Sequence, residues 1–119
     1  MAEVERREGA VVVVKAYDFN LWLLPKVEKF ARSYKFSVGD RLVAHGLDLL
    51  LLLVESAYAQ NKAALLQQAS TKVNGIRYLL RLSKDMKLLS SDSYAFAAER
   101  LDEIGRMVGG WRKSAVGRP

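Results

Sequence analysis

The sequence predicts an all-α protein folded as an up-down-up-down antiparallel four-helix bundle. Three observations lead there. Apolar residues recur at the three-four spacing of a helix in four long stretches, short links join those stretches, and no strand pattern competes with them beyond one short valine run. A chain of 119 residues has room for one domain and one core.

Residues 1–16 read as an N-terminal arm. Gly9 separates a segment of mixed charge from Val11, Val12, Val13 and Val14, a β-branched run that favours extended backbone. Such an arm is either a flexible tail or a sticky end that packs on a neighbouring chain. The bundle itself is expected over 17–114, with 115–119 fraying.

The first helix is expected over 17–34, with Tyr17, Leu21, Leu24, Val27 and Phe30 as its buried stripe. Pro25 falls within that pattern, so a kink is expected where the ring removes an amide donor and crowds the preceding turn. The second helix is expected over 40–60. Leu42, Leu49, Leu52 and Leu53 mark one face, but Leu47, Leu50, Leu51 and Val54 spread round the rest of the cylinder. A helix apolar on nearly every side is buried on more than one side. A small bundle cannot surround one of its own helices, so Leu50, Leu51 and Val54 point to contacts between subunits.

The third helix is expected over 62–88 on the spacing of Leu66, Ala69, Val73, Ile76, Leu80 and Ser83. The fourth starts where Ser90 or Ser91 can cap the first amides and Asp92 meets the positive end of the helix dipole. Its seam is Tyr94, Ala97, Leu101, Ile104, Val108 and Trp111, an unbroken heptad pattern. Gly105 and Gly109 lie four residues apart within that seam region, on one face, and permit close approach of another backbone. An alternative for Gly109 and Gly110 is that the helix ends there. Trp111 reads as a core or interface anchor.

The chain carries 19 Lys and Arg against 13 Asp and Glu, a formal net charge of +6. An excess of that sign suits an anionic partner. It is unevenly spread. Within 62–88, Lys62, Lys72, Arg77, Arg81, Lys84 and Lys87 face Asp85 alone, a balance of +5, whereas 40–60 sums to −2. Arg77, Arg81 and Lys84 are spaced i, i+4, i+7 and align along about 10 Å of helix. Aligned cations can follow a phosphate backbone, and arginine adds two-pronged contacts. The alternative is a solvated face whose cations pair with carboxylates on a neighbouring helix.

No enzyme chemistry can be assembled. Cysteine is absent and His45 is the only histidine, which leaves no thiol nucleophile and too few ligands for a zinc site. The seam positions are aliphatic, and no nucleophile–base pair, phosphate loop or paired carboxylate emerges. Neither a cofactor nor a small-molecule substrate is expected. No secretory signal or membrane span is read from the chain, so a cytoplasmic location is expected.

Several segments together resemble a known family. Ile76-Arg77-Tyr78-Leu79-Leu80-Arg81-Leu82, then Leu88-Leu89-Ser90, then Glu103-Ile104-Gly105-Arg106-Met107-Val108-Gly109-Gly110-Trp111 are similar to the four-helix-bundle proteins of the accessory variability determinant of diversity-generating retroelements. Bundle proteins encoded in intervening sequences of 23S ribosomal RNA genes are related to these. Leu23-Leu24-Pro25-Lys26-Val27-Glu28-Lys29-Phe30 and Gly39-Asp40-Arg41-Leu42 resemble the retroelement branch, although Ala31 stands where the family often has proline. The resemblance spans about residues 17–114, and its most specific part is the Ile-Gly-Arg-x-x-Gly-x-Trp pattern of the fourth helix. It implies a ring-like homo-oligomer, a pentamer, with a basic surface and no catalysis. It further implies binding to a reverse transcriptase and to RNA or DNA during mutagenic copying of a template-repeat RNA into cDNA. Arg77 and Arg81 match a basic pair of the family; Lys72, Lys84 and Lys87 extend that surface. The ribosomal branch would instead imply a structural, RNA-interacting protein with no polymerase partner.

Overall fold

The structure, a computed structural model, describes residues 2–116, with side chains described from Gly9 to Ala115. Four long helices run through these residues: α1 (Ala2–Glu28), α2 (Asp40–Tyr58), α3 (Ala63–Asp85) and α4 (Ser91–Val116). They form an antiparallel square in which α1 and α3 each pack against both α2 and α4. One apolar core fills the centre, with Leu23, Leu42, Leu49, Leu53, Leu66, Ile76, Leu80, Leu101, Ile104 and Trp111 almost wholly buried. None of the described helices is long and apolar enough to cross a membrane.

The predicted seams of α3 and α4 face this core. Helix α1 does not follow expectation in two respects. It starts at Ala2, so residues 9–16 belong to the bundle and form no arm. Val12 and Ala16 are fully buried. Valine costs a few tenths of a kcal/mol in a helix, while burying its side chain contributes about 1.5–3 kcal/mol, and tertiary burial wins. The buried stripe is also shifted. Val12, Ala16, Phe19, Leu23, Val27 and Phe30 point inward, whereas Tyr17, Leu21 and Leu24 are 54, 60 and 37% exposed. Both stripes have helical spacing, but only the inward one continues without a break to Val12. Of the tail expected to fray over 115–119, residues 115 and 116 continue α4, and 117–119 lie outside the described residues.

The helix ends follow from local chemistry. Helix α1 runs through Pro25 and stops at Glu28, where Lys29 and Phe30 close tight turns onto the carbonyls of Lys26 and Val27. A helical turn (Arg32–Tyr34) and a wider five-residue coil (Lys35–Gly39) then lead into α2. Helix α3 ends earlier than its apolar spacing suggests. Lys87 adopts a left-handed φ of 63°, and the Leu88 amide bonds back to Ser83 O at 2.8 Å, the Schellman closure of a helix C-terminus. Ser90 Oγ accepts the Ser93 amide at 3.1 Å and caps α4.

Each of the four seams is keyed by a glycine facing a large or polar side chain of the neighbouring helix. A Cβ on Gly9 would lie 3.0 Å from the Trp111 ring; one on Gly46 would lie 2.7 Å from Asn20 Oδ1. The same atom on Gly75 would meet His45 Cδ2 at 2.8 Å, and on Gly105 Arg77 Nη2 at 2.8 Å. Asn20 is held at its place by donating Nδ2 to Ala16 O and Gly46 O, at 2.9 and 3.0 Å. His45 Nδ1 lies 3.0 Å from Arg41 O, which makes it the donor of that bond. Between α1 and α4, Trp22 packs on Phe96 at 5.4 Å and Lys15 pairs with Glu103 at 2.7 Å. The Lys15 hydrogen bond holds the Glu103 carboxyl below the usual carboxylate range.

Gly46→Ala is therefore expected to lower stability by about 1–3 kcal/mol through overpacking. Gly109→Ala, where the new Cβ meets nothing within 4 Å of its own subunit, is expected to raise it by up to about 1 kcal/mol. Chemical denaturation of the two variants reads both changes.

Candidate nucleic-acid interface

The α3–α4 seam brings together three of the six cations that the sequence assigns to the third helix, Arg77, Arg81 and Lys84. Arg77 leaves α3 beside Gly105 of α4, and the missing side chain there makes the space its guanidinium occupies. From that slot Nη1 donates to Asp102 Oδ1. The pair is about half exposed on both sides, so it orients the arginine without removing it from solvent, and exposed pairs of this kind contribute little to stability. Arg81 lies one turn further along α3 and is exposed. Lys84 follows, its Nζ 5.0 Å above the ring of Tyr94 from α4, a cation–π contact that anchors it to the same seam.

Between these residues is a hollow of about 300 Å³ lined by Arg77, Tyr78, Arg81, Tyr94, Ala98 and Asp102, with Leu80 and Leu101 at its base. Tyr78 stands at its rim, 73% exposed. Arg112 extends the basic edge towards the start of α3, where it donates to Gln67 Oε1. Arg106 follows Gly105 on α4 and is exposed. Among the described residues no carboxylate pairs with Arg81, Lys84, Arg106 or Lys87.

Two of the five predicted basic residues stand apart from this groove. Lys72 turns to the other flank of α3 and pairs with Asp48 of α2 at 3.3 Å. Lys87 lies beyond the end of α3, in the left-handed turn. Of the aligned face that the sequence predicts, Arg77 and Arg81 line the hollow with partners from α4, and Lys84 lies beside it over the Tyr94 ring. Sequence reasoning missed Tyr78, Tyr94 and Asp102 as parts of the hollow. Asp102 had a readable signal, since it precedes Gly105 by three residues and so shares its side of α4.

The opposite side of the bundle is apolar. Asn20 and Gly46 meet at the α1–α2 seam, and helical spacing puts Tyr17 and Leu24 beside Asn20, and Val43 and Leu50 beside Gly46. Leu21, Leu47 and Leu51 lie further out, with Leu51 64% exposed. Leu50 and Val54 are half-buried, and Leu50 packs partly on the core. Of the predicted packing residues on α4, Trp111 is in the core and Gly105 receives Arg77, while Gly109 and Gly110 face open space within the subunit.

A protein-family model described as bAvd-like matches residues 10–115. It thus takes in residues 10–16, part of the segment that the sequence predicts as an arm. No curated protein and no solved structure matches the chain significantly.

If Gly105 exists to seat Arg77, its replacement disconnects the pair without unfolding the bundle. In a double-mutant cycle of Arg77→Ala and Asp102→Ala, a coupling of about 0.2–1 kcal/mol is expected. The same cycle in a Gly105→Ala background is expected to give none.

Proposed function

The chain belongs to the bAvd-like family, the accessory variability determinants of diversity-generating retroelements, and on that premise we propose that it is a cytoplasmic, non-catalytic subunit that holds nucleic acid beside a reverse transcriptase. The α3–α4 groove is the surface that does so, in support of mutagenic cDNA synthesis from template-repeat RNA. One observation carries the reading: Arg77 and Arg81 open onto one hollow, Lys84 sits over the Tyr94 ring at its side, and Arg77 is seated there by Gly105.

Most of the affinity of such a groove comes from neutralising phosphates and releasing counterions. Its two arginines suit phosphate oxygens because each can present two parallel N–H donors. The exposed apolar surface along α1 and α2 is assigned to contacts between copies of the chain, in a ring-like homo-oligomer with five subunits as the leading stoichiometry. Leu51, with Leu50 and Val54 behind it, is the centre of that contact. Between Arg41 and Glu55, α2 carries a single charged side chain, Asp48, and that residue turns to Lys72 of α3. The outward face is thus free of charge to desolvate. The same ring repeats the basic groove once per subunit, which raises avidity for a strand long enough to reach several.

An Arg77→Ala, Arg81→Ala double variant is expected to keep its helical content and solution mass while losing binding to single-stranded nucleic acid and to the reverse transcriptase. A plot of log affinity against log salt is expected to be shallower by about 2 for the variant. Unchanged affinity at low salt contradicts the proposal.

A further inference from the structure

We propose that the hollow in the α3–α4 groove is a pocket for one unpaired nucleobase bearing an amino group, a proposal that rests on reading the groove as a nucleic-acid surface. A channel that only tracks phosphates needs cations. This one also holds two tyrosines and a carboxylate. Its volume of about 300 Å³ is at the lower limit of small-ligand pockets.

Tyr78 is 73% exposed and adds no core packing that would account for so large an aromatic ring. An accessible ring beside arginines is the arrangement on which unpaired bases stack. Bases within a duplex already stack on one another, so only a strand with free bases can use it. Asp102 adds a preference among bases. Its Oδ1 accepts from Arg77, and no described residue donates to Oδ2. A carboxylate at neutral pH accepts hydrogen bonds and donates none. The base edge that fits must therefore donate. Cytosine, adenine and guanine offer an amino group, whereas uracil and thymine offer only one imide N–H flanked by two carbonyl oxygens that a carboxylate repels. Arg81 and the guanidinium donors that Arg77 does not give to Asp102 can meet the phosphates flanking the base.

The test uses the full chain and fluorescent single-stranded oligo(C) and oligo(U) of equal length, with a duplex of matched length, all at low salt. The wild type is expected to bind oligo(C) about tenfold more tightly than oligo(U). In Asp102→Asn, whose amide donates as well as accepts, that ratio falls to about one even as overall affinity rises with the lost negative charge. Tyr78→Ala, at an exposed position, is expected to weaken single-strand binding about 5- to 100-fold and to leave the duplex unaffected. Equal binding of oligo(C), oligo(U) and duplex, with Tyr78→Ala silent on all three, overturns the pocket and leaves the basic-groove reading standing. No binding of any strand by the wild type overturns both.

Discussion

The bundle depends on four places where a helix lacks a side chain. Gly9, Gly46, Gly75 and Gly105 each stand opposite a large or polar residue of the adjacent helix, namely Trp111, Asn20, His45 and Arg77. In each case a Cβ would fall within about 3 Å of that neighbour, inside the range of ordinary packing contacts. Four seams, each with its own key, set the register of every helix against the next. The keys differ in kind. Trp111 and Asn20 are buried, so their seams are fixed by packing and by hydrogen bonds within the core. Arg77 ends near solvent, about half exposed and paired with Asp102, so its seam leaves a guanidinium accessible to a partner.

That difference divides the molecule. Along α1 and α2 the seam is closed by Asn20 and Leu23 against Gly46, and the residues outside it are uncharged and apolar. Along α3 and α4 the seam opens into a hollow, and the residues outside it are arginine, lysine and tyrosine. An apolar face rimmed by few charges is suited to another copy of the chain. A cationic groove is suited to a polyanion. Having the two on opposite sides lets both be occupied together, which a single mixed surface would not. The net charge of +6 is thus less informative than its position.

Much of this was legible in the sequence, for identifiable reasons. Helices α3 and α4 have one apolar stripe each, so periodicity named their buried residues without ambiguity. The Ser90 cap was readable because side-chain capping is local. Helix α1 was not, because it has two stripes of equal spacing, and the choice between them is made by neighbours that periodicity does not see. The valine run misled for a related reason: β-branching is a weak preference, and burial against the core overrides it. Lys72 and Lys87 were placed with Arg77 on charge alone. An ion pair across the α2–α3 seam and a left-handed residue at the helix end separate them, and both are tertiary or terminal features outside the reach of helical spacing. The part played by Asp102 is set by Arg77 across the seam, and only its spacing from Gly105 hints at it in the sequence.

We propose that the apolar α1–α2 face joins copies of the chain and leaves the α3–α4 groove open. Light scattering on the wild type and on a Leu47→Glu, Leu51→Glu variant tests it most directly. A wild-type mass several times the 13.3 kDa of one chain is expected, falling to that of one chain in the variant with helical content preserved. A wild type that already scatters as a single chain contradicts it.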